Sequence, residues 1–401
     1  PYTGAATDEM QQLLGSRLVD ISILLTQADI PALQAAQEHY VQQVAALGES
    51  VAWRELCHSL GMDAAALTPA VQESALGHAA LGIQLVAALT KAARLFDLRL
   101  ILLNEDVTAT GRLLAAWARA HTVPSLLLQH GVQLSTAYTV HGGLYTDKAA
   151  IFGGRGAEAY LDIGVAPERL QLTGNPAWDG YPQKVAARDS IRQSLCRQFN
   201  LDAGRPIVMF GTTWSANLTA FCDEHVYGDT LRAFIRSIPA LAGHGIAAQY
   251  VIKDRPTNAH FGTDRYRQIA SEEGIDPAVL TYVDSNTEDW VVASDLIVAV
   301  DSNLSVEAML AGTPSINLMN ETGMLLGPSF DGESGVVEVE QHQLPGAMIA
   351  LLSDAAWREQ MQQKMAVRAV HYNHRGDRPA AARVAELVAV CGRFDASEQR
   401  H

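Results

Sequence analysis

The sequence predicts an α/β protein with two domains, each built on a parallel, doubly wound sheet. Its 401 residues exceed the roughly 150 that one ordinary domain needs. Short apolar runs alternate with amphipathic helical segments, which is typical of a parallel sheet with helices on its faces. This alternation runs through the first part of the chain and starts again after residue 200. We therefore expect two sheets.

The first series follows a helical region. Residues 28–96 are rich in Ala, Leu and Gln at helical spacing, and Pro31 suits a first helical turn. The segment "TATGRLLAAWARAH" predicts a helix between two of the strand-like runs that come next. Those runs are "DLRLILLNED" (97–106), "VPSLLLQHG" (123–131) and "KAAIFGG" (148–154).

The second series contains more strand-like runs, with helices between them. They are "RPIVMFGTT" (205–213), "QYVIKD" (249–254), "LTYVD" (280–284), "DLIVAV" (295–300) and "PSINL" (314–318). "LTGNPAWDGYPQ" (172–183) joins the two series. We predict a first domain at 1–182, helical over 1–96, and a second at 183–377. A terminal helix in 378–401 is expected to pack back across the junction.

Composition excludes several classes of protein. A formal net charge of −15 argues against duplex nucleic acid as a partner. The cysteines Cys57, Cys196, Cys222 and Cys391 are scattered, which favours a reducing compartment over a disulfide framework or a zinc site. No continuous apolar run approaches the roughly 20 residues of a membrane span. Because the chain begins at Pro1, we expect a segment of a longer protein and conclude nothing from the lack of a signal peptide.

A polar cluster lies where the strand "DLIVAV" is followed by the helix "SVEAMLAG". It consists of Asp301, Ser302, Asn303, Ser305 and Glu307. Helix N-termini beyond the carboxyl ends of parallel strands bind phosphates. Ser302 or Ser305 would donate to phosphate oxygens, and the Glu307 carboxylate would accept from a pair of vicinal hydroxyls. The structural alternative is that Ser302 caps the helix and Glu307 complements its dipole.

Two further strand ends carry groups suited to phosphate. In "VIKDRPTN" a strand ends in Lys253 and Arg255, whose alternative role is a surface salt bridge with Asp254. The loop "FGTTWSANLTA" brings Thr212, Thr213 and backbone N–H groups to the end of another strand. Neither the P-loop spacing nor a G-x-G-x-x-G after a strand is present, so P-loop NTPases and dinucleotide enzymes lose support.

These segments together resemble a known family. "GVAPERLQLTGNPAWD" (164–179), the Lys-x-x-Pro strand end and "ASDLIVAVDSNLSVEAMLAGTPSINL" are similar to the GT-B glycosyltransferases of bacterial surface polysaccharides. Relatives include capsule and lipopolysaccharide transferases, retaining β-Kdo transferases and CDP-glycerol glycerophosphotransferases. The likeness covers about residues 97–390. Many relatives have Lys-x-His-Pro where this chain has Arg255 in place of the histidine, which leaves the donor and the stereochemical course open.

The resemblance implies two Rossmann-like domains, with the acceptor mainly on the first, the donor nucleotide on the second and a C-terminal helix that crosses back. The donor would be a CMP- or NDP-sugar, a class that includes CMP-Kdo-like sugar nucleotides. The acceptor would be a polysaccharide or lipid-linked glycan. The nucleotide-sugar is then a substrate, and no cofactor or metal is expected. The implied location is cytoplasmic, with peripheral membrane association left open. The alternatives are a non-hydrolysing UDP-GlcNAc 2-epimerase, a glycerophosphotransferase and a non-catalytic sugar-nucleotide-binding module.

Four residues are candidates for the reacting groups. Glu105 and His130 each follow a strand of the first series, and Glu158 lies near a helix start. The His-Gly step at His130 resembles the glycerophosphotransferases, in which the histidine is a proposed base, and the β-Kdo transferases use a first-domain glutamate, which implies Glu158. Asp223, in an acid-rich loop, is the candidate nucleophile of a retaining enzyme. The structural alternatives are a satisfied strand-end histidine, a first-turn acid and a solvated loop acid.

Overall fold

The computed structural model describes residues 20–132, 143–212, 228–254, 262–300, 302–319 and 332–393, together with residues 12 and 330. The strands are β1 Ile101–Leu103, β2 Ser125–Leu128, β3 Lys148–Ile151, β4 Leu170–Leu172, β5 Ile207–Gly211, β6 Gln249–Lys253, β7 Leu280–Val283, β8 Leu296–Ala299, β9 Ser315–Leu318 and β10 Val337–Val339. They form a four-stranded sheet of order β1-β2-β3-β4 and a six-stranded sheet of order β10-β9-β8-β5-β6-β7.

Helices precede, connect and follow these strands. They are α1 Ile30–Ala45, α2 Val51–Ser59, α3 Ala64–Leu95, α4 Ala109–Ala120, α5 Gly154–Asp162, α6 Tyr181–Ala186, α7 Arg188–Phe199, α8 Asp229–Gly243, α9 Gly262–Glu272, α10 Thr287–Ala293, α11 Asn303–Ala311, α12 Leu344–Ser353, α13 Ala355–Tyr372 and α14 Ala380–Gly392.

The six-stranded sheet is buried on both faces. Along β5, Ile207 and Met209 belong to one apolar cluster and Val208 and Phe210 to another. Successive side chains of a strand point to opposite faces, so helices cover each side of the sheet. Neighbouring strands of this sheet are paired in parallel, as the near-continuous apolar runs predicted.

The chain divides into two compact units. As far as the structure describes them, one unit contains residues up to Leu127 with Tyr145–Asp147 and the residues from Cys391, and the other contains 128–144 and 148–390. The predicted boundaries after residues 182 and 377 stay predictions.

In the second unit, the C-terminal helices return to the segment around β4. The backbone N–H groups of Ala380 and Ala381 donate to the two Asp179 carboxylate oxygens at 2.8 and 2.9 Å. The Arg383 side chain donates to the Thr173 carbonyl at 2.8 Å. A carboxylate at a helix N-terminus satisfies backbone donors that have no partner in the helix. These contacts hold the start of α14 against the chain segment that links the two strand series.

The helix α3 is 32 residues long and largely apolar. Within the described residues it is the one helix whose length and composition would allow it to cross a membrane, with a mean hydropathy of 1.3 over the best window and 22% of that window buried. The sequence analysis did not predict α3 as a candidate membrane span, because Gln84 and other polar residues interrupt its apolar runs.

Candidate functional site

The candidate site lies where the six-stranded sheet reverses its strand order. β5 has β8 on one side and β6 on the other, so the chain winds outward in opposite directions from this point. Ligands of doubly wound sheets bind in the crevice outside the carboxyl ends of such strands. The groups at this edge are Gly211 at the end of β5, Thr212 directly after it, Lys253 at the end of β6, and Ser302 before α11.

The N-terminus of α11 is packed tightly against the end of β5. The Ser302 hydroxyl accepts from the Leu304 N–H at 3.2 Å, so Ser302 is the N-cap residue. A Cβ at Gly211 would lie 2.1 Å from Leu304 Cδ2. Glycine at position 211 therefore lets the first turn of the helix approach the strand.

Ser305 lies inside the protein. It has 0% exposure, and the Ser315 hydroxyl donates to its hydroxyl at 3.1 Å. The helix face that carries Ser305 packs on β9, and the predicted contact between Ser305 and a phosphate stays a prediction. The hydrogen bond between Ser305 and Ser315 therefore links α11 to β9.

Lys253 is a buried cation at the strand edge. Lys253 is only 5% exposed, and its Nζ donates to the Asp254 carbonyl at 2.7 Å. Burial lowers the pKa of Lys253, while the negative charges of Asp254, Asp284 and Glu307 act in the opposite direction. The Lys253 ammonium is thus a buried cation whose ionised form is favoured by nearby negative charge.

Asp254 joins three elements at the same edge. Its Oδ1 accepts from the Thr212 hydroxyl at 3.0 Å and from the Tyr266 phenol at 2.8 Å. The Thr212 N–H donates to the Lys253 carbonyl at 3.0 Å. Thr212 and Asp254 therefore fix the ends of β5 and β6 relative to α9. The alternative role considered for Arg255, a surface salt bridge with Asp254, falls outside the described residues.

The surroundings of Glu307 shift the pKa of its carboxyl group well above the usual value. The Tyr181 phenol, 2% exposed, donates to Glu307 Oε2 at 2.5 Å. The pKa of Glu307 is raised to about 7, mainly because the carboxyl is buried and in smaller part because of the Glu288 charge. Hydrogen bonds from Tyr181 and Trp178 and the Lys253 charge oppose that rise. Burial and the Glu307 charge in turn raise the pKa of Tyr181.

His130 lies beside the N-terminus of α11. The Gln129 side chain donates to the Gly131 carbonyl at 2.7 Å and accepts from the Phe152 N–H at 2.6 Å. The Val132 N–H donates to Asn303 Oδ1 at 2.9 Å. His130 is exposed between these two anchors. The structure thus brings His130 and Asn303, predicted from separate halves of the chain, to one place.

Glu158 lies at the contact between α5 and α13. Its carboxylate is 3.3 Å from His371 Nε2 and 3.8 Å from an Arg155 nitrogen, and its side chain is 50% exposed. A Cβ at Gly153 would lie 2.4 Å from the His371 carbonyl oxygen. Glu158 is therefore one partner of a charged group between these helices.

Glu105 belongs to the other compact unit and is partly exposed in the loop between β1 and α4. Its neighbour Asp106 is buried, and Asp106 Oδ2 accepts from the N–H groups of Tyr145 and Thr146 at 2.7 and 3.1 Å. Thr213, Asp223 and Arg255 lie outside the described residues.

Sequence reasoning missed Tyr181 and Trp178 as parts of the site. Both belong to "LTGNPAWDGYPQ", which the sequence analysis used only as a junction. The aromatic residues in an otherwise polar turn were the signal, but their partner Glu307 is 126 residues from Tyr181. Within the described ranges, no group of three or more His, Cys, Asp or Glu residues is arranged to hold a metal ion.

Comparison with known proteins identifies the fold. No known protein family and no curated protein sequence matches the chain. Among solved structures, a UDP complex of Staphylococcus aureus MnaA is 16% identical, covers 76% of this chain and 77% of its own, and has a TM-score of 0.53. The UDP-GlcNAc 2-epimerase of Neisseria meningitidis bound to UDP-GlcNAc is 13% identical over 77% and 81%, with a TM-score of 0.53. A 2-epimerase-like protein of Listeria monocytogenes is 17% identical over 79% and 79%, with a TM-score of 0.53.

These similarities and the two parallel sheets confirm the predicted fold class. The chain has a GT-B fold, with two parallel-sheet α/β domains.

Proposed function

We propose that this protein is a GT-B glycosyltransferase that moves a sugar from a CMP- or NDP-sugar donor to a polysaccharide or lipid-linked glycan in bacterial surface-polysaccharide synthesis. The observation that carries the proposal is geometric: Lys253 ends β6, and Ser302 caps the helix that carries Glu307, at the point where the second sheet reverses its strand order. A cation for phosphate beside a carboxylate for vicinal hydroxyls suits a ribonucleotide.

The donor nucleotide would lie along the carboxyl ends of β5, β6 and β8. Its phosphates would contact Lys253, Arg255, Thr212, Thr213 and the N–H groups at Ser302 and Asn303, and its ribose diol would bind Glu307. Ser305 is left out because it is buried. The solved structures with UDP and UDP-GlcNAc are similar in fold, which makes a sugar nucleotide the ligand class to test first.

The reacting groups would come from the acceptor side. His130 is exposed beside the α11 N-terminus, a position from which it can remove a proton from an acceptor hydroxyl. Glu158, paired with His371, is a second acid/base candidate. Glu105 and Asp223 remain candidates for the same roles. A phosphate leaving group would be stabilised by Lys253 and the helix N-terminus, and we expect transfer without a metal and on the cytoplasmic side of the membrane.

A thermal-shift screen of CMP, CDP, UDP and GDP tests the proposal. A ligand at 100 times its Kd stabilises the folded state by about 2.7 kcal/mol, so one base should raise Tm by several degrees. Lys253→Met should weaken binding of that nucleotide at least tenfold in calorimetry. Lys148→Met, at the exposed first residue of β3, is the matched control. If no nucleotide binds, or if Lys253→Met binds as well as the wild type, the proposal is wrong.

The similarity in fold to 2-epimerases favours one alternative for testing. Incubation with UDP-GlcNAc alone, followed by NMR, would give an epimerised sugar if the chain is an epimerase, whereas a transferase needs an acceptor. A donor panel including CDP-glycerol separates sugar transfer from glycerophosphate transfer. Nucleotide binding without turnover of any donor would indicate a binding module.

A further inference from the structure

The turn that contains Trp178 and Tyr181 supports the carboxylate on α11. The Tyr181 phenol donates to Glu307 Oε2 at 2.5 Å, and the Trp178 side chain, from the same turn, opposes the rise in the pKa of Glu307. An indole N–H can only donate, so this pair favours a carboxylate that accepts. Both aromatic residues are buried, at 6% and 2% exposure.

The same turn is anchored on its other side. Asp179, between the two aromatic residues, accepts from the first N–H groups of α14. A backbone held in this way presents the Tyr181 hydroxyl at a fixed position. Such preorganisation is what a group that orients a ligand-binding carboxylate needs.

We infer that Tyr181 is a positioning residue of the nucleotide site, which holds Glu307 ionised and oriented so that its remaining lone pairs accept from a ribose diol. The inference rests on the proposed function for the identity of the ligand. The contact between Tyr181 and Glu307 itself does not depend on that identity.

The surroundings of Glu307 disfavour its ionised form, so a hydrogen-bond donor is needed to stabilise the carboxylate. The elements packed against α11 carry the following charged groups: Lys184 on α6, Glu288 and Asp289 on α10, and Arg358, Glu359, Lys364, Arg368 and His371 on α13. Lys184 is 3.2 Å from Glu288 and 2.5 Å from Asp289. Glu288 opposes ionisation of Glu307, as burial does, and Lys253 favours it. Because the pKa of Glu307 is about 7, removal of one donor changes its protonation in the neutral range.

The direction of the pH dependence follows. A diol binds the carboxylate form, so nucleotide affinity should rise with pH until Glu307 is ionised and fall about tenfold for each pH unit below its pKa. Tyr181→Phe removes a hydrogen bond that lowers the pKa of Glu307. The midpoint should therefore move upward by about one pH unit, as expected for a charge-assisted hydrogen bond.

The experiment measures Kd by calorimetry from pH 5.5 to 9 for UDP and 2′-deoxy-UDP, and for whichever other base the thermal-shift screen selects. In Tyr181→Phe, affinity at pH 6.5 should fall about tenfold and recover by pH 9, and selectivity for ribose over 2′-deoxyribose should fall with it. Glu307→Gln should bind weakly with a flat profile. Tyr250→Phe, a buried tyrosine of β6 outside the site, should keep the wild-type profile.

A ligand-free measurement separates this inference from the proposed function. The side-chain carboxyl of Glu307, followed by ¹³C NMR, should titrate at higher pH in Tyr181→Phe than in the wild type, whether or not a nucleotide binds. An unchanged Glu307 midpoint in a folded Tyr181→Phe variant overturns the inference. A shifted midpoint in a protein that binds no nucleotide overturns the proposed function and leaves Tyr181 as the group that keeps Glu307 ionised.

Discussion

Replacement of Glu307 by glutamine should stabilise the protein at neutral and alkaline pH. The wild-type carboxylate is buried against Tyr181, and burial raises its pKa from 4.5 to about 7. Below pH 4.5 this group is protonated in both the folded and the unfolded chain. Between 4.5 and 7 the unfolded chain releases the proton while the folded chain keeps it, so the wild-type free energy of unfolding falls as pH rises.

The magnitude follows from the two pKa values. Each pKa unit is worth about 1.4 kcal/mol, so the rise from 4.5 to about 7 costs about 3 kcal/mol of stability once the pH is above 7. Glutamine is close in shape and carries no charge, and its carbonyl can still accept from the Tyr181 phenol. Glu307→Gln should therefore gain up to about 3 kcal/mol over the wild type between pH 4.5 and pH 8.

Urea unfolding followed by tryptophan fluorescence measures this difference. Trp178 and Trp290 are both buried in the unit that contains Glu307, so the signal reports on the relevant part of the chain. The quantity to plot is the stability of Glu307→Gln minus that of the wild type against pH. Glu359→Gln, on the exposed side of α13, controls for the loss of one negative charge. A Glu307→Gln difference that stays constant from pH 4.5 to 8 would refute the reasoning.

Two further substitutions test how the site is held together. Gly153→Ala places a Cβ 2.4 Å from the His371 carbonyl oxygen, so it should lower the free energy of unfolding by about 1–3 kcal/mol or more. Gly180→Ala, whose Cβ would have no atom within 4 Å, should change the free energy of unfolding little. Equal effects of the two substitutions in urea unfolding would contradict the packing around Gly153. Asn303→Ala removes the acceptor of the Val132 N–H and should lower the free energy of unfolding by about 1–3 kcal/mol. Asn303→Asp keeps an acceptor at this position. Hydrogen exchange at the Val132 amide should therefore increase in Asn303→Ala and not in Asn303→Asp.

The central strands of both sheets could be predicted because burial on two faces makes them continuously apolar. "RPIVMFGTT" became β5, and "DLIVAV" became β8, each within a few residues of the predicted run. The edge strands β4 and β10 were missed. Each has three residues with a polar residue in the middle, and such a short alternation has no distinct period.

The site was predictable only where one segment carries the information. Ser302 caps α11, as its place before the helix indicated. The contacts of Val132 with Asn303 and of Tyr181 with Glu307 join segments 171 and 126 residues apart. No local pattern predicts such pairs, because register and helix packing decide which side chains meet.

The charge balance at the strand edge favours a ligand that brings phosphate and hydroxyl groups together. The Lys253 ammonium is bound to the Asp254 carbonyl and lies in the field of three carboxylates. A free phosphate would face those same carboxylates, and its approach would be opposed by their charge. In the proposed function, hydroxyl donors on the same ligand would bind the Glu307 carboxylate and offset that repulsion. Because Lys253 and Glu307 also act on each other's ionisation, a ligand that engages both stabilises the charged form of each.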